Sequence, residues 1–269
     1  MFERELQTAL ELIQRAGAIA MEVYRRDFAW QDKSDDRGPV TEADRRVNEF
    51  LVDALRRAFP GDAVVGEESV DAVDLNAERL WIIDPVDGTK DFLRKNDEWS
   101  IMIGLSVGGE AVVGAVAQTP LDRIYVGSPD DGAWLLHGGT KTRLAVSTDA
   151  DPRAATIVNS RSHPDPTIDG IRDRLGISRE YRHGSVGCKL AHISERRADL
   201  YVNLSGKCHL WDVCGPEALI RAAGGVVTDL NGARIPYSGS DTQVHQAFLA
   251  TTPALLPAVL DAARAVHPA

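Results

Sequence analysis

The run from Trp81 to Phe92, WIIDPVDGTKDF, constrains this chain more than any other stretch. An apolar strand, Leu80 to Ile83, leads into two aspartates, Asp84 and Asp87, held apart by Pro85-Val86. Carboxylates at the end of a buried strand are costly unless something cationic sits between them. Two aspartates and a backbone turn, with the Thr89 hydroxyl in reach, suit magnesium and a phosphate better than they suit a core. Gly88 and Thr89 are expected to open a short helix whose N–H groups face an anion.

With 269 residues the chain can form one large domain or two tightly joined lobes with ample core. At 43% hydrophobic and 26% charged residues its composition is that of an ordered globular protein. No run approaches the roughly 18 apolar residues of a membrane span. The start, MFERELQTAL, is charged and amphipathic, so a cytoplasmic protein without membrane attachment is expected. The formal net charge of -10 argues against a nucleic-acid partner, which needs a basic face. A small polyanion remains compatible, because metal ions and a few local cations can reverse the sign within one pocket. Cys188, Cys208 and Cys214 lack paired spacing and fit a reducing compartment. Their plain reading is small buried thiols; a redox effect at Cys208 and Cys214 stays open.

Helical spacing from Phe2 to Tyr24 predicts a long first helix ending near Arg26. Gln31 to Pro39 reads as a loop, and Thr41 as the N-cap of a second helix with Asp44 three residues on. Ala63 to Val65 is a short strand running into Gly66-Glu67-Glu68. Segments 100–107, 111–118, 123–127 and 133–136 are expected to form a meandering antiparallel sheet. After Asp149-Ala150-Asp151-Pro152 the pattern becomes α/β, which divides the chain into an N-terminal α+β lobe, 1–150, and a C-terminal α/β lobe, 151–269. Strands 155–159, 199–202 and 226–228 and helices 167–175, 187–196 and 212–223 are expected in the second lobe, with a final strand and helix.

Hydrolysis of a phosphate monoester needs water to approach a dianion, and a pair of divalent cations about 4 Å apart eases that approach. Glu67, Asp84, Asp87 and Asp212, each at a strand end or helix start, could supply hard oxygen ligands, joined by the Val86 carbonyl. Each piece has a bland alternative: Asp-x-x-Asp as turn chemistry, Glu67-Glu68 as a solvated pair, Asp212 as a helix cap, Thr41 and Asp44 as a helix start. Together, in this order, they predict a metal-dependent phosphomonoesterase.

The same residues resemble the inositol monophosphatase superfamily of magnesium-dependent, lithium-sensitive phosphatases over essentially the whole chain. Pro39 to Asp44 resembles its V-T-x-x-D segment, Gly66-Glu67-Glu68 its G-E-E, and Trp81 to Thr89 its W-x-x-D-P-[ILV]-D-G-T. Trp211-Asp212 with Ala223-Gly224-Gly225 resembles its W-D and A-G-G block. The resemblance implies an α-β-α-β-α layered sandwich. It also implies Glu67, Asp84 and the Val86 carbonyl around a first magnesium, and Asp84, Asp87 and Asp212 around a second. Thr89, hydrogen-bonded to Asp44, would orient or activate the attacking water, and Glu67 and Glu68 would assist with a third, looser ion. Inositol-type relatives dimerise, and a homodimer stays open here.

Further details resemble the 3′(2′),5′-bisphosphate nucleotidase branch: Lys90 with the acidic and aromatic pair after it, Asn159 to His163, Gly184-Ser185-x-x-x-Lys189, and Ala198 to Tyr201. The substrate would be a small phosphorylated molecule, a nucleoside bisphosphate, touched by Gly88, Thr89, Lys90, Arg161, His163, Gly184, Ser185 and Lys189. Cleavage of adenosine 3′,5′-bisphosphate would clear a by-product of sulfate assimilation. Two departures bear on this. Leu210 stands where that branch usually has glutamate before Trp-Asp, and Ser205-Gly206-Lys207 lacks the acidic residue usual in the inositol branch. Inositol phosphate and histidinol phosphate remain the alternative substrates.

Overall fold

The computed structural model describes residues 2–32, 39–70 and 73–267. The chain runs α1 (Glu3–Tyr24), β1 (Trp30–Asp32), β2 (Pro39–Thr41), α2 (Glu42–Ala58), β3 (Ala63–Gly66), β4 (Arg79–Asp87), α3 (Thr89–Arg94). A meander follows, β5 (Ser100–Val107), β6 (Glu110–Gln118), β7 (Arg123–Ser128), β8 (Gly132–His137) and β9 (Thr140–Leu144). Then come β10 (Thr156–Ser160), α4 (Thr167–Leu175), β11 (Arg179–His183), α5 (Val186–Ser194), β12 (Leu200–Asn203), β13 (Cys208–His209) and α6 (Leu210–Ala222). The chain closes with β14 (Val226–Asp229), β15 (Gln243–Val244), β16 (Phe248–Thr251) and α7 (Leu256–Val266).

Strands β3 to β9 form a seven-stranded sheet in chain order, antiparallel except for the β3–β4 pair. A second sheet has the order β11-β10-β12-β16-β14. Period-two alternation decides which face each side chain takes. Trp81, Ile83, Ile101, Ile103, Leu105, Val113 and Ala115 pack against α1 and α2. Leu80, Ile82, Met102 and Val116 face the other way, into a core shared with α5, α6 and the second sheet. The far side of that sheet packs Ile157, Leu200 and Leu249 against α4 and α7. The result is α-β-α-β-α, the layered sandwich expected from the sequence.

Several boundaries differ from expectation. Residues 31, 32 and 39 are in strands rather than a loop, and residues 33–38 of that stretch lie outside the described residues. β4 continues through both aspartates instead of stopping at Ile83. β9 and β11, TKTRL and REYRH, were not expected as strands. Both are edge strands with mostly exposed polar side chains, so they carry no apolar alternation to read.

Helix α6 lies against the seven-stranded sheet at backbone distance, and glycines make that approach. A Cβ on Gly114 would lie 2.0 Å from the Gly215 carbonyl oxygen, and one on Gly104 would lie 2.6 Å from the Gly215 nitrogen. Because this layer is filled by backbone, Gly114→Ala must push α6 off the sheet. We predict a loss of roughly 3 kcal/mol of stability, the upper part of the usual overpacking range, measurable as a lowered denaturant midpoint by circular dichroism. An unchanged midpoint would refute the close packing.

Candidate active site

The DPVD segment gathers its carboxylates by a bulge. By alternation Asp84 shares a face with Leu80 and Ile82, so a regular strand would send Asp87, three residues on, to the opposite face. Instead Asp84 pairs with Met102 and Asp87 with Ser100, a step of three on β4 against two on β5. Val86 turns into the helix-side core, and Asp87 returns to the side of Asp84. Pro85, which has no N–H to leave unpaired, is suited to such a position. The Val86 amide donates to Asp84 Oδ1 at 3.0 Å.

Asp212 reaches the same place from the N-terminus of α6. One ligand oxygen from each of Asp84, Asp87 and Asp212 lies within 4.8 Å of the others. Asp84 and Asp87 are buried, while Asp212 keeps a partly exposed edge. Asp212 also caps its helix: the His209 amide donates to its Oδ2 at 2.6 Å. Its capping and clustering readings hold together. Glu67 follows β3, where Gly66 is registered with Ile83, and its amide donates to the Ile83 carbonyl at 3.2 Å. It stands beside the triad rather than within it, and its charge is felt at Asp212. Glu68 is partly exposed next to it.

Burial, and then the neighbouring charge of Asp87, push the Asp212 pKa well above the carboxylate range. Burial also raises Asp87, opposed first by Lys189 and then by hydrogen bonds from the Ser185 hydroxyl at 2.6 Å and the Gly187 amide at 2.9 Å. Lys189 is the one buried lysine or arginine among the described residues. One ammonium cannot balance three clustered carboxylates, and an all-oxygen donor set suits a hard divalent cation. The residues present therefore fit magnesium.

Across from the triad, Asp44 closes a capping box at the start of α2. Its Oδ2 accepts from the Thr41 amide at 2.8 Å and the Thr41 hydroxyl at 2.5 Å. Its Oδ1 faces the Thr89 hydroxyl at 3.5 Å, and that hydroxyl also lies 3.2 Å from the Val86 carbonyl oxygen. Gly88, with φ of 92°, sits in the left-handed region and starts α3.

The expected substrate residues separate into three groups. Lys90 and His163 are exposed on the rim. Desolvation, and then the charges of Lys90, Lys189 and Lys207, push the His163 imidazole below its usual value. Ser185 and Lys189 are buried: the hydroxyl serves Asp87, while the ammonium lies 3.4 Å from the Gly184 carbonyl and over the Tyr201 ring. A solvated helix face for Lys189 is thus excluded. Arg161 forms a two-pronged ion pair with Glu98, at 2.6 Å from each nitrogen, rather than pointing free into the pocket. Lys207 and Glu98 were missed by sequence reasoning, since each is a single charged residue without a local pattern, and the buried Asp91 was read only as the acidic residue that follows Lys90. All three cysteines are buried, and burial pushes the Cys188 thiol up to about 12, away from thiolate chemistry.

The pattern that defines the inositol monophosphatase family matches residues 2–267. The chain belongs to the inositol monophosphatase family. Family enzymes use magnesium and are phosphoric monoester hydrolases, and so is this chain. It is 30% identical over 252 residues to the 3′(2′),5′-bisphosphate nucleotidase CysQ of Salmonella typhimurium, covering 91% of this chain and 99% of that one. It is 31% identical over 243 residues to a histidinol-phosphatase of Mycobacterium tuberculosis, covering 89% and 93%. Among solved structures, an inositol monophosphatase from Thermotoga maritima has the same fold, with a TM-score of 0.83 at 24% identity, over 98% of both chains. No helix among the described residues is long and apolar enough to cross a membrane.

Replacing Asp212 by asparagine removes like charge from the cluster while keeping an acceptor for the His209 amide. Without magnesium we expect Asp212→Asn to melt roughly 2–4 °C above wild type, the shift that about 1 kcal/mol makes in a chain of this size. Magnesium should raise the melting temperature of wild type and raise that of the variant less, because Asp212 serves only one of the two expected ions. Since Asp87 and Asp212 both have raised pKa values, protons compete with the ion as pH falls, so the magnesium effect should weaken towards acid pH. Equal magnesium stabilisation of both proteins would contradict the assignment.

Proposed function

We propose that this chain hydrolyses the 3′-phosphate of adenosine 3′,5′-bisphosphate to give AMP and phosphate. The observation that carries the reading is the positive charge of Lys90, Lys189 and Lys207 felt at His163, on the side of an acidic cluster suited to metal. A substrate with one phosphate at the carboxylates and a second on the rim uses both halves of that charge pattern. The CysQ relatives support the same choice.

In this reading Asp84, Asp87 and Asp212, with Glu67 and the Val86 carbonyl, hold two magnesium ions, and Glu68 helps with a looser third. When bound, the ions supply Lewis-acid charge at the phosphoryl oxygens and lower the pKa of water. Asp44 is held by Thr41 so that Oδ1 faces the Thr89 hydroxyl. As water attacks phosphorus in line, Thr89 Oγ1 takes its proton and passes its own to Asp44 Oδ1. The P–O bond to the ribose 3′-oxygen breaks, and that oxygen leaves protonated by solvent. Gly88 lets the chain turn tightly beneath the phosphate, where a Cβ would crowd the Glu98 carbonyl at 3.3 Å. The proposed lobes, 1–150 and 151–269, each supply part of the site, the second through Asp212.

Histidinol phosphate is the second reading, favoured by the 31% identical relative. Its ammonium group would meet the lysines on the rim, which is an electrostatic penalty. Inositol 1-phosphate has no second charge to place there.

Phosphate release from the three substrates tests the reading in magnesium buffer. The bisphosphate should give the highest kcat/KM; turnover no better than that of inositol 1-phosphate would reject the proposal. Lys207→Ala and Lys90→Ala should each raise KM for the bisphosphate about tenfold, the equivalent of about 1.4 kcal/mol. Neither should change KM for adenosine 3′-monophosphate, which lacks the second phosphate.

A further inference from the structure

Arg161 stands at the end of β10, where a phosphate-binding arginine could stand, yet its hydrogen bonds lead elsewhere. Its Nε donates to Glu98 Oε2 and its Nη2 to Glu98 Oε1, each at 2.6 Å, and Nη2 also donates to the Arg182 carbonyl at 3.0 Å. The Arg161 amide donates to the His183 carbonyl at 3.1 Å. A planar guanidinium held by both prongs of a carboxylate is pre-organised in place. Drawing it towards a substrate would break both bonds and leave Glu98, itself only 17% exposed, without its counter-charge.

Glu98 has a third partner, the Gly184 amide, which donates to Oε2 at 2.8 Å. Gly184 is tightly enclosed: a Cβ there would lie 2.4 Å from Asp91 Oδ2 and 2.5 Å from the Glu98 carbonyl oxygen. The next residue, Ser185, has φ of 53° and ψ of 127°, which a residue with a side chain rarely adopts. Such a conformation persists only when its surroundings hold it. On its far side the Ser185 hydroxyl donates to Asp87 Oδ2 and accepts from the Cys188 amide at 3.0 Å. Since its one proton is committed to Asp87, the 2.9 Å contact with Ser100 must have the Ser100 hydroxyl as donor. The path is therefore continuous: Arg161, Glu98, Gly184, Ser185, Asp87.

We infer that Arg161 and Glu98 are positioning residues that hold the Gly184–Ser185 turn, and through the Ser185 hydroxyl aim Asp87 at the metal. Arg161 is then no ligand of the substrate's second phosphate. The inference rests on the magnesium assignment of the preceding subsections.

A double-mutant cycle on the full chain tests it, with magnesium binding measured by calorimetry in the absence of substrate. Arg161→Ala and Glu98→Ala should each weaken magnesium binding about tenfold, and the double variant no further, because both break one path. Each should lower kcat on the bisphosphate and on adenosine 3′-monophosphate alike at subsaturating magnesium, with KM for neither substrate changed. Glu98→Gln, which keeps an acceptor for the Gly184 amide, should retain most of the affinity and covers the case in which the alanine variants do not fold. An Arg161→Ala chain that binds magnesium as wild type does, and raises KM for the bisphosphate alone, overturns the inference and restores Arg161 as a phosphate ligand. Additive losses in the double variant overturn it too. A wild-type chain that binds no magnesium overturns the metal assignment and this inference with it.

Discussion

Three carboxylates crowded into one small, largely dry space cannot keep their charge without a cation, and one buried lysine is too little to balance them. That imbalance organises the centre of the molecule. Asp84 and Asp87 come from one bulged strand and Asp212 from the start of a helix on the opposite layer. Each is held by backbone amides: Val86 to Asp84, Gly187 to Asp87, His209 to Asp212. These bonds orient the oxygens but do not cancel their repulsion, so the free energy stored in the cluster is available to bind an ion. Stability given up at a site is a common exchange for function.

The middle layer makes the convergence possible. Asp212 reaches the aspartates of β4 only because α6 lies on the sheet at backbone distance, over Gly104 and Gly114. Larger residues there would lift the helix and carry Asp212 away from Asp84 and Asp87. The packing of a core and the geometry of a site are here one constraint, read from two sides. The same layer carries Lys189 on α5, next to Asp87, so a local positive charge enters a chain whose net charge is strongly negative.

Much of this was legible beforehand because it is local. The apolar alternation of the meander, the Thr41 cap and the Gly224–Gly225 stop need only near neighbours, and each element appears within a few residues of expectation. The edge strands β9 and β11 were not legible, since their exposed polar side chains carry no period. At the site, Asp84, Asp87 and Asp212 were visible as residue types in order. Arg161 and Lys189 were visible too, but their directions were not. A guanidinium turns to whichever carboxylate lies nearest in space, and Glu98 is 63 residues away in sequence. Lys207 carried no local pattern and emerged only as a charge felt by His163.

By itself the sequence determined the order of helices and strands, the faces they bury and the acidic residues available for metal, because periodicity and turn chemistry act over a few residues. Only the tertiary structure decided that the two aspartates of β4 share a face, that Asp212 joins them, and that Arg161 pairs with Glu98. Those outcomes depend on register, on a bulge and on how closely one layer approaches the next. They are distances between residues far apart along the chain, and no short-range pattern encodes them.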